Sequence, residues 1–111
     1  MDARGESSFV TREDRSLAES LGRGESEAIS RVRRWIRAAV TPFRRRLGTE
    51  LEDLEQEVLV SLTETLRRGG FEGRSRLATY VKKAAVYRCL NRIRDARKRT
   101  FVSPEDVRLR S

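Results

Sequence analysis

The sequence predicts an all-α domain, a compact bundle of about four helices, from three observations. Apolar residues recur every three or four positions in successive segments. No apolar/polar alternation is long enough for a strand. Turn punctuation is confined to Gly22-Arg23-Gly24, Gly48, Gly69-Gly70, Gly73 and Ser103-Pro104. With 111 residues, 37% of them hydrophobic, the chain has material for one small core and not for two.

The first helix is expected from Thr11 to about Leu21, with Thr11 as N-cap and Asp14 in the reciprocal place of a capping box. The second opens at Glu25 or Ser26 and carries Ile29, Val32, Ile36, Val40 and Phe43 as its buried stripe. Pro42 interrupts it, either as a kink or, with Thr41 as cap, as the start of a renewed helix. Trp35 lies one position off the stripe and reads as a core-edge residue or a partner contact. The third helix spans about Glu50 to Arg68, with Leu51, Leu54, Val58, Leu62 and Leu66 inward and Gly69 as its stop. The fourth starts near Ser75 and runs to about Arg97, burying Leu77, Val81, Ala84 or Ala85, Cys89 and Ile93. Residues 1–10, rich in Ser, Gly and charge, are expected to be disordered, residues 11–100 to form the domain, and residues 101–111 to begin a linker or tail.

Composition narrows the function. The chain has no His and one Cys, which excludes a Cys/His zinc site, an internal disulfide and a His-based catalytic relay. Nor is there a glycine-rich phosphate loop or an isolated carboxylate pair, so no catalytic residue, metal ligand or cofactor is assigned and the chain is not expected to be an enzyme. No apolar run approaches the roughly 20 residues that span a bilayer, and the N-terminus lacks a signal pattern, so a cytoplasmic protein without membrane insertion is expected. The formal charge of +8 points to a polyanionic partner. Residues 1–70 carry 13 basic and 13 acidic side chains, and residues 71–111 carry 12 and 4, so the excess sits at the C-terminal end.

Two segments stand out. The start of the third helix packs Glu50, Glu52, Asp53, Glu55 and Glu57 together without a cation, more than a helix dipole needs; it reads either as a solvated helix start or as a docking face for a basic partner. In the fourth helix Tyr80 and Tyr87 interleave with Lys82, Lys83, Arg88, Arg92 and Arg94, the pairing of stacking surface and phosphate neutralisation used on single strands. Either tyrosine is equally readable as half-buried with a wet hydroxyl. Cys89 reads as a small core residue.

Taken in order, Glu52-Asp53-Leu54-Glu55-Gln56-Glu57-Val58, then Phe71-Glu72-Gly73-Arg74-Ser75-Arg76-Leu77-Ala78-Thr79-Tyr80-Val81, then Cys89-Leu90-Asn91-Arg92-Ile93-Arg94 resemble region 2 of the sigma-70 family of bacterial transcription initiation factors, in its extracytoplasmic-function branch. The resemblance covers about residues 15–100. It implies a helical domain that docks on the clamp helices of the largest subunit of core RNA polymerase through Asp53, Gln56 and Glu57, with Glu52 and the apolar Val60 beside them. It also implies recognition and melting of the non-template strand of the promoter −10 element. Arg74, Ser75 and Arg76 match the loop around an extruded base, and Thr79 and Tyr80 match the melting position, where Trp is commoner. Lys83, Tyr87, Arg88, Asn91 and Arg92 would contact phosphates and base edges. Tyr87 stands where many members carry Asn, and Asn91 where they carry Asp. After Ser103-Pro104-Glu105-Asp106 the family's linker to a second, helix-turn-helix domain would begin, so the expectation is either a piece of a two-domain factor or a domain whose second half another chain supplies.

Two alternatives remain at this level. One is a sigma-like interaction domain that binds polymerase or an anti-sigma factor without opening promoters. The other is a basic helical DNA-binding module that works without polymerase and gives the acidic helix no role.

Overall fold

The computed structural model describes residues 11–101, with side chains to Lys98. Four helices make the domain: α1 (Arg12–Gly22), α2 (Ser26–Val40), α3 (Glu50–Arg67) and α4 (Leu77–Phe101). No strand occurs among the described residues. The expected disordered segment 1–10 and the tail beyond residue 101 lie outside the described residues.

Each helix exists for a reason visible in its residues. Thr11 Oγ1 accepts the Asp14 backbone N–H at 3.0 Å and caps α1. Helix α2 has Glu25 as N-cap without a side-chain cap bond, and its cohesion comes from packing: Ala28, Val32, Ile36 and Val40 are buried at three- or four-residue spacing. Ile29 and Phe43, expected on that stripe, are only partly buried against it. Pro42 sits in a 3₁₀ turn, Thr41–Phe43, followed by a single helical turn, Arg44–Leu47. Thr41 does not cap that turn. Its hydroxyl donates back to the Arg37 carbonyl at 2.7 Å, ending α2. Helix α3 buries the four expected leucines and Val58 together with Leu59, and it stops where Gly69 adopts a φ of 74°.

The core is one cluster. Its fully enclosed members include Leu21 of α1, Val32, Ile36 and Val40 of α2, Leu54 of α3, and Leu77, Val81, Ala85 and Cys89 of α4. Each large aliphatic among them contributes about 1.5–3 kcal/mol by leaving water. Helix α2 packs most extensively on α4, and α1 on α3, while α3 also touches α2 and α4. This arrangement turns the outer faces of α2 and α4 away from each other. Trp35 is half-buried against the core, as a core-edge residue would be, with the Arg31 guanidinium 5.9 Å from its ring centre. No described helix is long and apolar enough to cross a membrane.

Candidate nucleic-acid and docking faces

The segment Phe71–Arg76 joins α3 to α4. Gly73 is buried and holds a φ of 78°, a conformation side-chain-bearing residues rarely adopt, so the loop can turn there under the end of α1. The Phe71 ring packs on Tyr80 with centroids 4.9 Å apart and planes tilted by 49°. Arg74 points outward, with its side chain 87% exposed and paired only to Glu72 at 3.0 Å. Ser75 Oγ donates to the Arg76 carbonyl at 3.2 Å.

Arg76 has a different environment. Its Nε donates to Asp14 Oδ2 at 2.8 Å, and the same oxygen accepts the backbone N–H of Leu77 at 2.9 Å. Asp14 is the one buried charged residue among those described, at 5% exposure. The structure therefore corrects its expected role. The carboxylate of α1 does not close a capping box on its own helix; it reaches 63 residues along the chain to accept the Leu77 N–H and cap α4, which begins at Leu77, two residues past the expected start. Burial alone would raise the Asp14 pKa. The hydrogen bonds from Arg76 and Leu77, helped by the charges of Arg76 and Arg31, outweigh it and hold the carboxyl below its ordinary value. The signal for this was present in the spacing: Asp14, Ala18 and Leu21 form the buried stripe of α1, so position 14 had to face inward.

Helix α4 sorts the remaining candidates onto two faces. Thr79, Lys83, Tyr87, Asn91 and Arg94 recur at three- or four-residue steps on the side away from the core. Thr79 and Lys83 are exposed, Tyr87 is 65% exposed, and Asn91 Oδ1 accepts a short hydrogen bond from Arg94. Tyr80, at the loop end, is half-buried and tethered by Phe71. Arg88 and Arg92 instead continue the inward register of Val81 and Ala85 and meet the acidic helix. Arg92 bonds Glu50 at 3.0 Å and Glu57 at 2.8 Å, and Arg88 pairs with Glu57 at 3.5 Å. The Glu50 bond, with Glu57 adding to it, raises the Arg92 pKa further. Beside this network Cys89 is enclosed, and burial pushes its thiol pKa up, which keeps it protonated and inert.

On α3, Asp53, Gln56, Glu57 and Val60 are exposed together and line one shallow groove with Glu64 and Arg88. Glu52 is separated from them. It lies on the other side of α3, in a groove shared with Arg37, Arg44 and Glu55. Val60, Tyr87 and Leu90 are the large apolar residues left exposed among those described, at 48%, 65% and 51%. Leu90 was not singled out from the sequence; its place three residues after Tyr87 on the same outer face was the available signal.

No group of three or more His, Cys, Asp or Glu able to hold a metal occurs among the described residues. Comparison with family models, with curated proteins and with solved structures finds no match to this chain.

Proposed function

We propose that this is a sigma-type domain, similar to region 2 of the sigma-70 family, which docks on core RNA polymerase in the cytoplasm and holds open the non-template strand of a promoter −10 element. The carrying observation is the pairing of two faces on adjacent helices: Asp53, Gln56, Glu57 and Val60 exposed together on α3, and Tyr87 exposed among Lys83, Asn91 and Arg94 on α4. A carboxylate and amide row with an apolar residue at its C-terminal end suits a basic, partly apolar helical partner and supplies orientation and encounter rate. An exposed ring flanked by cations suits an unstacked base and its phosphates. Nothing in this function makes or breaks a bond. Unstacking costs a few kcal/mol per step and is offset by captured bases and phosphates.

Within this reading the residues divide their work. Tyr87 is the available stacking surface, Lys83 and Arg94 neutralise phosphate, and Asn91 offers an amide to a base edge. Arg74, whose exposed pair with Glu72 is open to solvent, can exchange that partner for the strand at the loop, whereas Arg76 is committed to the buried Asp14 and positions that loop. Tyr80 supports the loop through Phe71.

One observation favours the interaction-domain alternative: Arg74, Arg76, Arg88 and Arg92, four of the expected DNA contacts, are engaged by carboxylates of the domain itself. The two readings separate in one assay. Binding to purified core polymerase should be lost in Asp53→Ala/Gln56→Ala/Glu57→Ala, and open-complex formation should be lost in Tyr87→Ala/Arg74→Ala while polymerase binding persists. Polymerase binding by the wild type without open-complex formation supports an interaction domain. Retained opening in the second variant removes Tyr87 and Arg74 from the opening role, and no polymerase binding by the wild type removes the sigma reading.

A further inference from the structure

Residues 28–49 contain seven arginines and no Asp or Glu, a concentration that the equal counts over residues 1–70 conceal. All seven are exposed along α2 and the turn that follows it, Arg31 over the Trp35 ring and the other six, Arg33, Arg34, Arg37, Arg44, Arg45 and Arg46, beyond it. Arg34 and Arg37, and Arg33 and Arg37, are three and four residues apart on a helix, spacings at which like charges repel. Only Arg37 has an ion-pair partner among the described residues, Glu55 at 3.4 Å. The arginines follow one another as a basic band along α2 and the turn after it. Arg37 and Arg44 line one groove whose far side is Glu52 and Glu55, and Arg46 lines another with Glu50, Arg92 and Arg97 near the end of α4.

We propose that this band is a second nucleic-acid contact, a sequence-independent site for the phosphate backbone of duplex DNA. Charge complementarity identifies a polyanion, and the missing features narrow it. The aromatic residues of this region, Trp35 and Phe43, are half-buried against the core, so the band offers no stacking surface of the kind Tyr87 gives a single strand. The apolar stripe of α2 is spent inside the bundle and none of the exposed large apolar residues lies on the band, so nothing is available to enter a lipid bilayer. What remains is phosphate contact without base readout. Because the band faces away from the outer stripe of α4 and approaches it only at Arg97, one continuous DNA can lie with its unpaired part on α4 and its duplex around the Arg46 end of the bundle. The choice of DNA over RNA rests on the function proposed above; the phosphate site itself does not.

The test uses the full chain, fluorescence anisotropy, and two probes: a random-sequence DNA duplex of about 30 base pairs and a single strand, each titrated between roughly 50 and 200 mM salt. Arg33→Ala/Arg34→Ala/Arg45→Ala should weaken duplex binding about tenfold or more and reduce the salt slope by about 2.7, at about 0.9 per lost phosphate contact. The same variant should bind the single strand within about twofold of wild type, and Arg33→Lys/Arg34→Lys/Arg45→Lys should recover duplex binding. Tyr87→Ala should do the reverse, losing the single strand and keeping the duplex. A wild type that ignores the duplex, an unchanged duplex slope in the alanine variant, or a loss seen only with anionic vesicles would each overturn the proposal. Failure of the single-strand arm alone would instead remove the function proposed for α4.

Discussion

Helix α4 carries cations on two faces, and their surroundings differ. Arg88 and Arg92 lie at the seam with α3, within 3.5 Å of Glu57 and, for Arg92, 3.0 Å of Glu50. Lys83 and Arg94, a few residues away on the outer stripe, meet no carboxylate among the described residues. Seam cations hold two helices together and are partly neutralised; stripe cations leave a positive potential at the surface, where a phosphate can use it. The comparison shows that counting basic residues along a helix overstates the charge it presents. It also shows that Glu57 has competing duties, since an acidic partner of Arg88 and Arg92 cannot at once serve a docking partner. Engagement of Glu57 by another protein should therefore release seam cations, coupling docking to DNA affinity.

Perturbing the scaffold shared by both faces should have the largest effect. Leu54 is fully enclosed, so Leu54→Ala should cost about 2–5 kcal/mol in chemical denaturation and reduce the activity of both faces together. Next is the cap of α4. Asp14→Ala leaves the buried Leu77 N–H without an acceptor and should cost about 1–3 kcal/mol. Because the Asp14 pKa is lowered in the folded state, its contribution is complete above the ordinary carboxylate value of 3.8 and is lost as pH falls through the folded value. Acid unfolding followed by circular dichroism should thus be less steep in Asp14→Asn than in wild type.

At the seam, Arg92→Ala should cost about 1 kcal/mol at low salt and less at high salt, since Glu50 and Glu57 are about half exposed and screened. On the stripe, Tyr87→Ala should change stability by less than about 0.5 kcal/mol. Its effect belongs to binding, a loss of about 1–3 kcal/mol of single-strand affinity.

The helices were legible because their apolar spacing is regular and their stops are chemically marked. Val32-Ile36-Val40, Leu51-Leu54-Val58-Leu62 and Val81-Ala85-Cys89 are inside, and Gly69 ends α3 with the positive φ expected of it. The shared exposure of Asp53, Gln56 and Glu57 was legible for the same reason, as one face of an amphipathic helix. What escaped was pairing between distant segments. Thr11 and Asp14 satisfy a local capping rule, and that rule says nothing of a carboxylate meeting an N–H 63 residues away. Likewise Arg88 and Arg92 read as solvent-facing until α3 is laid beside them, although their register with Val81 and Ala85 already pointed inward. Glu52 was grouped with Asp53 by adjacency in sequence, yet neighbours on a helix are about 100° apart and the two line different grooves.

The most direct measurement of the central claim compares the salt dependence of single-strand binding in two double variants of the whole chain. Lys83→Ala/Arg94→Ala should lower the slope by about 1.4, at about 0.7 per phosphate contact on a single strand, while Arg88→Ala/Arg92→Ala should leave it unchanged. A lowered slope in the seam variant with an unchanged slope in the stripe variant would contradict the division of α4 into a structural and a binding face.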